Sequence, residues 1–287
     1  SLRAEVLTRE LVQRARLDIG FVRSQTEIGV LEQQPNHSRA HLSRYTALYT
    51  SLSTTYDFEF PNTTTLVSPF PADTNASDFQ LLSGQSLSPV NFQRYDTVQL
   101  NGVPISSNST GMVHSEQMLG LAGPIKLVPA AKGKTESLEN QSKMHLHSVC
   151  VVERVGAELQ GRWIGELLPG QSVPLTSGPL PSEKRPFADE RATEAKSARG
   201  ERLDLEQMFQ LALTTKNIED GETRLVARHD EVLPGELISP AASQVRGGTL
   251  VVAHLRYAPL PEPEKDSNTR QEITATEDKV EANPIEF

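Results

Sequence analysis

The stretch KMHLHSVCVVERV, residues 143–155, decides the fold class of this chain. Its alternation of apolar and polar residues predicts a β-strand. The apolar residues that this alternation places on one face are Met144, Leu146, Cys150 and Val152. Val149 and Val151 make the second half apolar on both faces, which is typical of a central strand that is covered on both sides. The next segment, AELQGRWIGELL (157–168), is predicted to be a second strand.

A Leu-Pro-Gly tripeptide follows that second segment at 168–170 and occurs again at 233–235. Proline fixes φ near the value that the second position of a tight turn needs, and glycine accepts the positive φ of a type II third position. Outside the tripeptide the two regions share little sequence, and two copies are fewer than a repeat architecture requires. We therefore interpret both copies as independent turns between strands.

Further segments alternate in the same way and are predicted to be strands. They are LVQRARLDIGFV (11–22), TEIGVLEQ (26–33), GMVHSEQML (111–119), GPIKLVPA (123–130), GETRLVARH (221–229) and GGTLVVAHLRYAPL (247–260). Asn101-Gly102 lies between apolar residues and predicts a two-residue hairpin.

Two segments have helical spacing. In SRAHLSRYTALYTSLS (38–53), His41, Tyr45, Leu48 and Leu52 recur at intervals of three and four residues, which predicts a helix. In DLEQMFQLALTT (204–215), Asp204 is a suitable N-cap for a second helix. The apolar stripe of this helix consists of Leu205, Met208, Phe209 and Ala212.

Composition divides the chain into regions. We expect a β-rich domain over 1–180, with a long irregular excursion at 61–96 that is rich in Pro, Asn, Ser and Thr. Residues 181–202 are predicted to be a charged linker or exposed arm, and residues 203–260 complete the same sandwich or form a second one. The tail, 261–287, carries eight acidic and three basic residues and is predicted to be disordered. The fold class is mainly β: antiparallel β-sandwich or sandwiches with one or two packed helices.

The bulk composition argues against several classes of function. The net charge is −9, and no cluster of Lys and Arg is present that could bind the phosphates of a nucleic acid. No run of 18 apolar residues predicts a membrane span. The single cysteine, Cys150, excludes an intrachain disulfide and is expected to be a small buried apolar residue. Trp163, the only tryptophan, is expected to pack in the core beside the first Leu-Pro-Gly turn.

Four residues are candidates for a metal site. His145 and His147 are two apart on a predicted strand, so their side chains leave the same face and could bind zinc or copper with a third ligand from His114 or Glu116. The alternative is a polar pair on the wetter face of the sheet. The spacing alone favours this alternative, so we predict no metal and no cofactor. No nucleophile elbow, P-loop or dinucleotide-binding pattern occurs, which predicts a non-enzymatic chain with no catalytic residues.

The order SNSTGMVHSE (107–116), HLHSVCVVER (145–154), GRWIGELLPGQSVPL (161–175) and LVVAHLRYAPLP (250–261) resembles soluble extracytoplasmic regions of large uncharacterised bacterial membrane proteins. The resemblance covers about residues 97–260. It implies a non-enzymatic, extracytoplasmic domain that serves scaffolding or protein–protein contact, with protein or cell-envelope partners. Because the chain begins at Ser1 rather than at Met, we expect the membrane anchor to lie outside it.

Two other functions remain open from the sequence. The first is a module that binds carbohydrate or another envelope ligand through the 61–96 excursion. The second is a metal-dependent hydrolase that uses His145 and His147.

Overall fold

The structure, a computed structural model, describes residues 23–70, 91–130, 135–176, 178–180, 185–197 and 202–258. The predicted strand at 11–22, the acidic tail and the middle of the 61–96 excursion lie outside these ranges. The helices are α1 (Ala188–Ser197) and α2 (Glu206–Ala212), and a 3-10 turn follows at Thr215–Asn217. The strands are β1 (Arg23–Gln33), β2 (Arg39–Thr50), β3 (Thr54–Phe60), β4 (Leu66–Phe70), β5 (Asn91–Arg94), β6 (Val98–Ile105), β7 (Ser109–Gly120), β8 (Ile125–Val128), β9 (Ser137–Asn140), β10 (Leu146–Val155), β11 (Glu158–Leu167), β12 (Ser172–Pro174), β13 (Gly178–Pro179), β14 (Thr223–His229), β15 (Leu237–Ser239) and β16 (Gln244–Arg256).

Nine of these strands form one large sheet in the order β13-β11-β10-β14-β16-β1-β2-β7-β4. Its strand pairs are antiparallel except for β1 and β16, which run in parallel. Two smaller antiparallel sheets have the orders β15-β3-β6-β5 and β12-β9-β8. The predicted mainly β architecture with few helices is confirmed.

The large sheet is covered on both faces. One face, which we call the helix face, packs Ile28, Val30 and Cys150 against α2. The other face, which we call the sheet face, is covered by the two smaller sheets. The three-stranded sheet packs on the residues around Leu42, and the four-stranded sheet packs on the residues around Leu48.

Residues 39–50 form strand β2 and not the helix that their spacing predicted. Leu42 and Leu48 lie on the sheet face of β2, while Ala47 lies on the helix face. Because β2 is buried on both faces, apolar residues occur at odd and at even positions and hide the two-residue period. Arg44 is buried on the same face as the two leucines, so a charged residue also occupies a core position of this strand.

Strand β10 is central, as predicted, but its apolar side chains do not share one face. A β-bulge between His147 and Val149, with Ser148 at a φ of 50°, changes the alternation. As a result, Leu146 and Val149 face the smaller sheets, whereas Cys150 faces the helices.

Both Leu-Pro-Gly segments are turns, as predicted, and each carries the chain from the large sheet to a smaller one. The first links β11 to β12, and the second lies between β14 and β15. Their glycines have the positive φ that the turns require, 75° at Gly170 and 101° at Gly235.

A buried asparagine holds the first turn. The side-chain amide of Asn140, which is 0% exposed, donates to the carbonyl oxygens of Leu167 and Leu168 at 3.4 and 3.3 Å. The backbone N–H of Gly170 donates to the carbonyl oxygen of Asn140 at 2.7 Å. These bonds join the end of β11 and the turn to the end of β9.

A buried arginine holds the second turn. Arg44 is 2% exposed, and its Nη2 donates to the carbonyl oxygens of Leu233 and Pro234, each at 2.7 Å. Its guanidinium also lies 3.2 Å from the Glu236 carboxylate and 3.6 Å from the Glu27 carboxylate. Burial raises the pKa of Glu27 to about 7 and raises the pKa of Glu236 as well, although Arg44 opposes both shifts.

Asn101 and Gly102 lie inside β6 and not at a hairpin turn. Gly102 has a φ of 78°, and its N–H donates to the carboxylate of Asp57 at 2.8 Å. Asn101 and Gly102 together lie opposite the single residue Asp57 of β3, so they form a bulge in β6 and the positive φ serves this strand irregularity.

The charged segment 181–202, expected to be a linker or arm, contains α1. Arg191 of α1 is buried and forms a two-pronged ion pair with Glu206 of α2, with both contacts at 2.8 Å. Asp204 accepts the N–H of Glu206 at 2.9 Å, but the N-cap residue of α2 is Leu205 and not Asp204 as predicted. The 61–96 excursion includes strands β4 and β5 near its ends. In the described ranges, no helix is long and apolar enough to cross a membrane.

Candidate functional site

A groove of 470 Å³ lies on the helix face, between α2 and the strands β16 and β1. Its volume is within the range of about 300–1,000 Å³ that is typical of ligand pockets. The apolar lining consists of Val30, Met208, Leu211, Ala212, Leu250 and Val252. The polar lining consists of Glu32, Asn217, Arg224 and His254.

The groove exists because α2 is short. This helix has seven residues and buries Met208 and Phe209 in the core beneath it. Leu211 and Ala212, near its end, are only partly buried and form one wall of the groove. The apolar floor consists of Val30 of β1 and of Leu250 and Val252 of β16.

The polar end of the groove is a closed network of charges. Arg224 donates to Glu222 at 2.9 and 2.6 Å, and also to the carbonyl oxygens of Ala212 and Asn217. Nδ1 of His254 lies 2.9 Å from Glu222. Burial alone would raise the pKa of Glu222, but the bond to His254, a backbone N–H and the Arg224 guanidinium outweigh it and hold the pKa at about 2. The Glu222 carboxylate is therefore ionised at neutral pH and neutralises the arginine.

Polar side chains on β2 and β7 extend the helix face beyond the groove. His114 stacks on Tyr45, with ring centroids 4.5 Å apart, and its Nε2 lies 3.1 Å from the Ser43 hydroxyl. The Glu116 carboxylate lies 3.6 Å from the same Nε2 and 3.8 Å from Nε2 of His41. A Ser-His-acid relay requires the hydroxyl and the acid on opposite ring nitrogens, and this arrangement does not provide it.

The structure divides the four candidate metal ligands into two separate pairs. His145 and His147 have ring centroids 4.1 Å apart at the start of β10. His114 and Glu116 lie on β7, and four strands separate β7 from β10 in the large sheet. At about 4.8 Å between strands, the two pairs are more than about 20 Å apart.

Glu166 of β11, which sequence reasoning missed, takes the third position beside the two histidines. Its Oε1 lies 2.6 Å from Nε2 of His145 and 4.0 Å from Nδ1 of His147. The hairpin register pairs Glu166 directly with His147. Burial, and then the neighbouring His145, lower the pKa of His147 below its ordinary value.

Cys150 and Trp163 have structural roles. Cys150 is 0% exposed, and burial raises the pKa of its thiol to about 12, so the thiol is not a nucleophile at neutral pH. The expectation of a small buried residue is confirmed. Trp163 is partly buried and packs against Phe187, with ring centroids 6.0 Å apart.

No protein-family model matches this chain, and no curated protein matches it. Two solved yeast structures overlap with it. The delta-COP-I mu-homology domain complexed with a Dsl1 WxWxV peptide has a TM-score of 0.35 and 9% identity, and the match covers 83% of this chain and 98% of that chain. The delta-COP-I mu-homology domain by itself has a TM-score of 0.32 and 10% identity, with 82% and 96% covered. At these values neither overlap establishes a shared fold or function.

Proposed function

We propose that this chain is a non-enzymatic protein-interaction domain whose groove beside α2 binds an extended apolar segment of a partner protein. The groove is the observation that carries the proposal. Its floor is formed by Val30, Leu250 and Val252, which are only 2–7% exposed. Its more accessible apolar wall is formed by Leu211 and Ala212 of α2, which are partly buried. An extended segment can insert alternate side chains into such a groove.

The charged groups in and near the groove already have partners within the protein, so apolar contacts are expected to supply the binding energy. Arg224 is neutralised by Glu222, so the arginine of the groove does not attract an acidic ligand. Glu32 lines the groove, and Glu116 lies on the adjacent polar part of the helix face. Complementary charge at the rim of an interface mainly sets specificity and association rate, while apolar contacts in the groove supply affinity.

The composition of the groove supports binding rather than catalysis. Its lining residues include no Ser, Thr, Cys, Lys or Asp. His254 and Glu222 form an acid–histidine pair, but no nucleophile lies among the lining residues for that pair to activate. A catalytic role for the groove would require a group that this part of the described chain does not supply.

The cellular setting is part of the proposal and rests on the sequence resemblance. We propose that the domain belongs to a membrane-anchored protein and lies on the extracytoplasmic side. Reporter fusions to the full-length reading frame test this, because an alkaline phosphatase reporter placed at this domain is active only after export. Activity of a cytoplasmic reporter at the same position would contradict it.

The binding proposal is tested by selecting peptides from a random displayed library on the wild-type protein. Ala212→Trp fills the groove, whereas Gln207→Trp places the same side chain on an exposed position of the same helix. We expect peptides with two or three apolar residues to bind the wild type. Their affinity for Ala212→Trp should be at least about tenfold lower, which corresponds to about 1.4 kcal/mol, and their affinity for Gln207→Trp should equal that for the wild type. No enrichment on the wild type, or equal binding to Ala212→Trp, would show that the groove is not the binding surface.

A further inference from the structure

We propose that His145, His147 and Glu166 bind one divalent transition-metal ion, with Zn²⁺ as the preferred ion. The three side chains each offer one ligand atom, and these atoms all lie within 4.8 Å of one another. Two imidazole nitrogens and one carboxylate oxygen form a ligand set that suits zinc and leaves a fourth position for water or an external ligand. This site is separate from the groove, so its test is independent of the proposed protein-binding function.

Zinc binding requires side-chain adjustments, because the ligand atoms lie within 4.8 Å of one another but not yet at tetrahedral spacing. Zinc binds nitrogen and oxygen ligands at about 2.0–2.2 Å, which places two tetrahedral ligand atoms roughly 3.3 Å apart. The 2.6 Å contact between His145 and Glu166 must widen, and the 4.0 Å contact between His147 and Glu166 must shorten, each by about 0.7 Å. The Glu166 side chain is 59% exposed and therefore has room to rotate into either position.

The backbone holds the two histidines on the same side. Leu146, between them, is fully buried on the sheet face, so its neighbours along the chain point toward the opposite side. The bulge at Ser148 follows immediately and is fixed by Glu194 of α1, which accepts the Ser148 N–H at 3.2 Å and its hydroxyl at 2.9 Å. The start of β10 is thus held in one geometry by contacts that do not use the metal ligands.

The surrounding charges do not oppose a cation. Arg228, the cross-strand neighbour of His147, forms an ion pair with Asp230. Arg202 lies 3.0 Å from Asp230 and 3.7 Å from Glu194, so it is also neutralised. The carboxylate of Glu166 then supplies negative charge at the site itself.

The test uses the full chain without a polyhistidine tag, treated with a chelator and then titrated with Zn²⁺ in a calorimeter. We expect one equivalent to bind, with the affinity reduced at least about tenfold in His147→Ala and in Glu166→Gln. Titration with Co²⁺ should give visible absorption bands of tetrahedral coordination in the wild type and not in these variants. His114→Ala, in the other cluster of histidine and glutamate, is the matched control and should bind as the wild type does.

Three results would overturn the proposal. They are the absence of saturable binding at one equivalent, an unchanged affinity in both His147→Ala and Glu166→Gln, and a loss of binding in His114→Ala instead. Because Glu166 is exposed, Glu166→Gln is expected to fold normally, and an unchanged urea midpoint establishes that a lost affinity reflects the missing ligand.

Discussion

Replacing Arg44 by alanine is expected to lower the free energy of unfolding by about 3–5 kcal/mol at neutral pH. This is the typical cost of removing one partner of a buried ion pair, because the remaining charge is left buried without compensation. The variant leaves the carboxyl groups of Glu27 and Glu236 buried without their cation. It also removes the donor that binds the carbonyl oxygens of Leu233 and Pro234 at the second Leu-Pro-Gly turn.

The loss should depend on pH. Burial already raises the pKa of Glu27 to about 7 with the arginine present, and removing Arg44 raises it further. A carboxyl group whose pKa is raised on folding favours the folded state at low pH, where it is protonated, and destabilises it at high pH. Because pH 8 lies only about one unit above the wild-type pKa of Glu27, this carboxyl group can make the cost of the substitution at most about 1.4 kcal/mol smaller at pH 5 than at pH 8.

Urea unfolding at pH 5 and pH 8, followed by the fluorescence of Trp163, the only tryptophan, measures both quantities. Arg39→Ala is the matched control, because Arg39 is an exposed arginine on the same strand and its loss should change stability by no more than about 0.5 kcal/mol. A cost below about 1 kcal/mol for Arg44→Ala at pH 8, or the same cost at both pH values, would refute this account of the second turn.

Three further outcomes follow from buried groups. Stability of the wild type should fall as pH rises from 4.5 to about 7 through the Glu27 contribution, and this slope should be smaller in Glu27→Gln, where only Glu236 keeps a raised pKa; an identical slope in both proteins would refute the assignment. Asn140→Ala should lower the free energy of unfolding, measured in urea, by about 2–3 kcal/mol, because it leaves carbonyl groups near the first turn without their side-chain donor. An unchanged free energy of unfolding would show that the first turn does not depend on Asn140. Cys150 should be inert to a thiol reagent at pH 8 in the native protein and should react with one equivalent in urea; rapid reaction of the native protein is incompatible with its burial.

The sequence predicted those strands and turns whose local residue pattern agrees with their position in the folded chain. Strands β10, β11, β14 and β16 and both Leu-Pro-Gly turns fall where their residues indicated. The function of those turns as crossings between sheets could not be read from the tripeptides. It depends on Asn140 and Arg44, which lie 28 or more positions away from the turn residues that they bind.

The predictions that failed did so where tertiary burial reverses the local signal. In β2, Arg44 and Thr46 are buried because Glu236 lies opposite them, so polar residues occupy core positions. At Asn101-Gly102, the positive φ serves a bulge rather than a hairpin. In both cases the deciding partner comes from a distant strand.

The metal candidates illustrate the same limit. Periodicity placed His145 and His147 together, but it could not choose between His114, Glu116 and a residue of the next strand. The usable signal was the tight turn at Gly156, because counting outward from it along the hairpin places Glu166 opposite His147. The groove left no such signal, since its lining is assembled from three strands and a helix.

The central claim, that the groove beside α2 is the partner-binding surface, is tested most directly by methyl NMR of the isotopically labelled chain titrated with a peptide selected on the wild type. We expect the largest shift changes at the methyl groups of Val30, Leu211, Leu250 and Val252, with the core of the four-stranded sheet, such as Leu100, unaffected. Shifts confined to the four-stranded sheet, with unchanged groove methyl groups, would contradict the claim.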